Sequence, residues 1–161
     1  KRIASDANLK QENLAPVLFL ILSQVNIAYL LLPRLFPLES NLLLRMQFLT
    51  AYHAINSLSE IQNDIDLELA RSFSSRSILT VIPNVRKIRN VLAHYGLGEA
   101  KKHIGSNPDI LNDVVQGLSG MSQSELLEIS NTQLREISEW SRSRFSKSKL
   151  KDLRALFGDH T

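Results

Sequence analysis

Residues 15–32, APVLFLILSQVNIAYLLL, run eighteen positions without a charged side chain. An apolar run of that length ends up in a helical bundle or interface, or in the hydrocarbon of a bilayer. Ser23, Gln24 and Asn26 stand near its middle, where lipid tolerates polar groups least. Pro16 suits a first helical turn, and no basic segment with a small-residue cleavage site makes the run a secretory signal. The expectation is a helix buried in a bundle or partnered at a dimer interface, with a membrane segment as the alternative reading.

The remaining chain reads as helix throughout. Residues 1–13 are a polar, frayed lead-in, and Pro33 and Pro37 bracket a turn around Arg34. From Ser40, Leu44, Phe48, Ala51, Ile55 and Leu58, joined by Met46 and Leu49, keep three-and-four spacing, with His53, Ser57, Glu60 and Asp64 on a polar side. Antiparallel pairing through a short loop follows for such neighbours. A short helix and a serine-rich loop are expected over 64–77. Asn107 and Pro108 form a cap and first-turn pair for a helix through Val114 and Leu118, ended by Gly117 and Gly120. Ser122-Gln123-Ser124-Glu125 has capping-box spacing ahead of Leu127, Ser130, Leu134, Ile137 and Trp140. No repeat, alternating strand pattern, Gly-rich phosphate loop or G-x-S-x-G occurs.

With 161 residues the chain fits one domain, 1–161, large enough for a real core. It begins at Lys1 without Met, as a segment of a longer protein would. Net charge of +3 does not make a polycationic coat, and the absence of cysteine removes disulfides, thiol catalysis and thiolate metal sites together. It also fits the cytosol, the expected location. No His-Glu-x-x-His or acidic cluster at ligand spacing points to a metal; neither metal nor cofactor is expected.

The densest chemistry lies in Arg86-Lys87-Ile88-Arg89-Asn90-Val91-Leu92-Ala93-His94-Tyr95-Gly96. Ile78, Val81, Ile82, Val85, Ile88 and Leu92 give it a buried stripe; Thr80 serves as cap, Pro83 sits in the first turn, and Gly96 closes the helix. At 100° per residue, Arg86, Asn90 and His94 stack on one side, while Arg89 lies at the stripe's border, about 140° from His94. A frayed last turn or a second copy of the chain would be needed to bring those two together. The plainest reading is a solvated face ending in a histidine favoured by the helix dipole.

Arg89-Asn90-Val91-Leu92-Ala93-His94 resembles the R-N-x-x-x-H signature of the HEPN superfamily, helical-bundle proteins that include many metal-independent ribonucleases of toxin, antiphage and CRISPR-effector systems. The resemblance implies an all-α bundle of about five to seven helices. It also implies a homodimer in which two motifs face each other across a twofold cleft, and an antitoxin, sensor domain or sensor protein as partner. Residues 89–96 are similar to motif-helix ends of CRISPR-associated effectors. The R-x4-H-x-Y pattern of the branch paired with nucleotidyltransferase antitoxins is not met, because Tyr95 follows His94 directly and Gly96 stands where that tyrosine belongs.

The residue chemistry is compatible with RNA cleavage. A histidine titrates near neutrality, with an ordinary pKa of about 6.5, and an arginine offers a donor fork to phosphate oxygens. RNA carries its own nucleophile in the 2′-hydroxyl, so a base and cations suffice to form and stabilise a phosphorane. Arg89 and His94 are the expected catalytic pair, with Asn90 holding the ring or a phosphate. Arg86, Lys87, Tyr95, Arg142, Arg144 and Lys147 are candidate RNA contacts. The last three belong to a basic stretch from 142, where six cations face Asp152 alone. The alternative is a non-catalytic module that binds RNA or a protein partner, the latter through the apolar helix.

Overall fold

The computed structural model describes residues 7–38, 40–62, 77–94 and 110–144, with side chains within 16–60, 77–94 and 110–142. Among them every regular element is a helix. Helix α1 (Ala7–Asn26) passes through a π-helical turn (Ile27–Leu31) into the single turn α2 (Leu32–Leu35). Then come α3 (Asn41–Gln62), the single turn α4 (Ile78–Val81), α5 (Val85–His94), α6 (Ile110–Ser119) and α7 (Gln123–Arg144). α3 is the central element, packed by α1, α4, α5 and α7, while α6 bridges α5 and α7.

The first helix does not stop before Pro33. A proline ring collides with the carbonyl four residues back and offers no N–H. The backbone widens instead, so that Leu32 donates to Ile27 five residues earlier. In that register the bond Pro33 cannot supply is the one to Ala28, and the Gln47 side chain, almost wholly buried, donates to the Ala28 carbonyl at 3.0 Å. The helix ends at Leu35 because Phe36, lying before Pro37, is forced into extended geometry (φ −125°, ψ 142°). The turn expected over 33–37 therefore occupies 36–40. The frayed lead-in expected over 1–13 is helical from Ala7.

Ser40 caps α3 through its carbonyl to Leu44 and its hydroxyl to Leu43. Leu44, Phe48, Ala51, Ile55 and Leu58 are buried as their spacing predicts, and Leu43, which that spacing did not include, is buried with them; Met46, expected to join the stripe, is exposed. The stripe of 78–92 is not one helix. Ile82 precedes Pro83 and is extended, which breaks the run after α4. Asn84 then takes a positive φ of 51°, a conformation asparagine tolerates better than most residues. Its carbonyl accepts from Lys87 and Ile88, and its amide donates to Leu118 at 2.8 Å, joining the start of α5 to the end of α6. Asn84, not Thr80, thus begins the motif helix, and Val81 is exposed.

Gly117 lies inside α6, which ends at Gly120, where φ is +74° and the N–H returns to Gln116. The capping box is present: Glu125 N–H donates to Ser122 Oγ, and Ser122 N–H to Glu125 Oε2 at 2.7 Å. Helix α7 buries Ser130, Ser138 and Ser141, whose hydroxyls bond to the carbonyls of Leu126 and Ser138 and to Asn26 Oδ1. Two of these hydroxyls are satisfied within α7 and the third by Asn26 on α1, and such small, paired side chains suit closely packed helices. Gln133 reaches across to accept the first N–H of α4, from Ile78, at 3.1 Å. The expected elements at 64–76, the Asn107-Pro108 cap, Gly96 and the tail from 145 lie outside the described residues.

Gln47→Leu should leave the Ala28 carbonyl buried and unpaired, costing about 1–3 kcal/mol, read as a lowered midpoint in urea unfolding. The bonds from Ser122 hold the Glu125 carboxyl below its ordinary pKa, the backbone bond most strongly. A depressed folded pKa adds stability above the unfolded value that is lost as pH falls through the folded one. Parent and Glu125→Gln melting temperatures should therefore differ at neutral pH, with the parent higher. They should converge as acid protonates the carboxylate.

Candidate functional site

Helix α5 turns Ile88, Val91 and Leu92 into the bundle and leaves Arg86, Lys87, Asn90 and His94 exposed. The helix carries no acidic side chain, so its outer face is a cationic strip ending in an imidazole and an amide one turn apart. Such a strip raises the local concentration of polyanions.

Arg89 behaves differently. It is half-buried, with its guanidinium carbon 5.6 Å from the centroid of the Tyr52 ring on α3. Its Nε is sealed from solvent without a hydrogen-bond partner, and the ring face partly offsets that desolvation. Tyr52 is itself fixed, with Phe48 stacked at 6.4 Å and the His53 ring edge-on at 5.4 Å. No hydrogen bond joins Arg89, Asn90 and His94 among the described residues. The structure brings Arg89 to Tyr52, not to His94, as the border position in the helix implies.

A second arginine, which the sequence pattern did not single out, holds the end of the helix. Arg45 on α3 donates from Nε to the Leu92 carbonyl at 2.8 Å. That carbonyl is one of the four at a helix C-terminus that lack an intrahelical partner. The bond ties down the turn that carries His94. Tyr52 was missed for a related reason: both residues lie on α3 far along the chain, and α3 itself shows only an amphipathic repeat. His53 and Glu60 are exposed. His53 meets Tyr52, and Glu60 accepts from Asn56 at 3.5 Å.

The other candidates are not gathered here. Arg142 is exposed near the end of α7, a helix that packs chiefly on α1, α3, α4 and α6. Tyr95, Lys147 and the side chain of Arg144 lie outside the described residues. Among the described residues no three His, Cys, Asp or Glu side chains cluster as metal ligands. A cleft of about 580 Å³ opens between the turn before α3 and the start of α7, lined by Pro33, Leu44, Asn112, Gln123 and Glu128 among others. No residue of α5 lines it; Arg86, Lys87, Asn90 and His94 stand exposed on the surface apart from it. The chain matches no family model, no curated protein and no solved structure.

Arg45→Met should release the Leu92 carbonyl and fray the last turn of α5. Amide hydrogen exchange over residues 89–94 is expected to quicken by about tenfold, with amides in the middle of α3 unchanged.

Proposed function

We propose that this chain is a metal-independent endoribonuclease of the HEPN type, working in the cytosol as part of a toxin–antitoxin or antiphage defence system. The supporting observation is the open face of α5, where His94 and Asn90 stand exposed one turn apart in a cationic strip. The resemblance of residues 89–94 to the R-N-x-x-x-H signature supplies the chemical role. His94 takes the proton from a ribose 2′-hydroxyl, whose oxygen attacks the adjacent phosphorus. The P–O5′ bond breaks, and the departing 5′-oxygen receives a proton from a second imidazole. Arginine stabilises the charge gathered on the phosphorane oxygens. The products are a 2′,3′-cyclic phosphate and a 5′-hydroxyl.

Each α5 carries one imidazole, and the step uses one as base and a second as acid, so a complete set of groups calls for two copies of α5 facing one strand of RNA. Two such cationic faces repel each other until phosphates lie between them, so substrate assembles the site. An antitoxin or sensor protein that covers the strip would silence it. The non-catalytic reading, an RNA- or protein-binding module of similar fold, draws on the same Arg89–Tyr52 contact, which gives the arginine a structural task.

Purified chain incubated with single-stranded and structured RNA in excess EDTA should cut the RNA and leave cyclic phosphate ends. His94→Ala and Arg89→Lys, each shown to be folded by circular dichroism, should lose at least about a hundredfold in rate. Equal cutting by all three proteins, or none by the parent, returns the weight to the binding module.

A further inference from the structure

The helical rod formed by α1, the π-turn and α2 has two unlike sides. Val25 and Ala28 are fully packed against α3 and α7, whereas Phe19 is 73% and Leu35 62% exposed. Leu20, Ile27 and Leu31 join Leu35 in the outward ridge at four- and seven-residue spacing. Across Pro16–Leu35 the mean hydropathy is 1.8, yet only 28% of the window is buried. A soluble monomer seldom leaves so continuous an apolar ridge in water. We propose that this outward face is the docking surface for a second copy of the chain.

Three observations select that occupant. The exposed large side chains from Val17 to Leu38 offer on the order of 800 Å² per chain, about what each partner contributes to a stable interface. Up to Arg34 the face holds only the uncharged polar residues Ser23 and Gln24, matching the charge-depleted centre of an interface. Gln24 lies between Leu20 and Ile27, so an isologous crossing there brings two amides together, each able to donate and accept.

A bilayer fits less well. Spanning one would break the Ser138–Asn26 and Gln47–Ala28 bonds and strip Val25 from the core. Lying on one favours a basic fringe, of which the described face has Arg34 alone. Helix α5 packs on α3 and α6, so pairing through α1 leaves both cationic strips open. The proposal stands whether or not the chain cuts RNA.

The test is sedimentation velocity of the purified chain without RNA or detergent, across micromolar concentrations, beside a Leu20→Glu/Leu31→Glu double variant. The parent should sediment as a dimer. The double variant should be monomeric with unchanged helicity, its dissociation constant raised by on the order of a hundredfold or more. Val81→Glu, a charge placed at an exposed apolar residue away from the ridge, should remain dimeric. Should the double variant lose helicity, Gln24→Arg adds charge to the same face without removing an apolar contact and should give the same monomer. A parent that is monomeric throughout, charge variants that dimerise like the parent, or a monomeric parent that floats with phosphatidylcholine vesicles would each overturn the proposal.

Discussion

Two backbone carbonyls, on two different helices, need a donor that their own helix cannot provide, and α3 supplies both. Ala28 loses its partner to a proline; Leu92 lies in the last turn of its helix. Gln47 and Arg45 answer them from neighbouring positions that point to different sides of the same helix. A buried carbonyl without a partner costs as much as a small cavity in the core, so these bonds set where α1 and α5 can sit. Tyr52, two turns further along α3, receives the guanidinium of Arg89. The central helix thus fixes its neighbours by polar reach as well as by apolar area.

That arrangement bears on the cationic strip. A catalytic or binding group on a surface helix is only as well placed as the turn beneath it. Helix α5 is ten residues long, short enough to fray by itself, and it is fastened at both ends from other elements. Asn84 joins its start to α6, and Arg45 joins its end to α3. His94 and Asn90 stay free to meet a ligand while the backbone that carries them is held.

The apolar stripes of α3, α6 and α7 and the Ser122–Glu125 box were legible in the sequence because they depend on spacing within one element. So was the border position of Arg89. The errors arose where a proline acts through geometry. Pro33 was expected to end a helix that instead widened around it, and Pro83 to enter a helix that instead broke one residue before it. At Pro33 the widened helix goes with a donor for the Ala28 carbonyl, and Gln47 brings that donor from another element. Arg45, Tyr52 and Gln133 were invisible for the same reason, since the atoms they satisfy lie dozens of residues away. The resemblance to the HEPN signature rests on residues 89–94, of which the fold exposes Asn90 and His94 and half-buries Arg89, and it carries the functional reading by chemistry alone.

The Gln47–Ala28 bond ties two positions together in descent as well as in space. Any residue other than proline at 33 restores a backbone donor, relaxes the π-turn and releases position 47 from its need for a buried amide. A leucine at 47 becomes acceptable only after that change. Among related chains, proline at 33 and glutamine at 47 should be gained and lost as a pair, with the loss beginning at 33. A lone substitution at 47 would have to pass through the less stable intermediate.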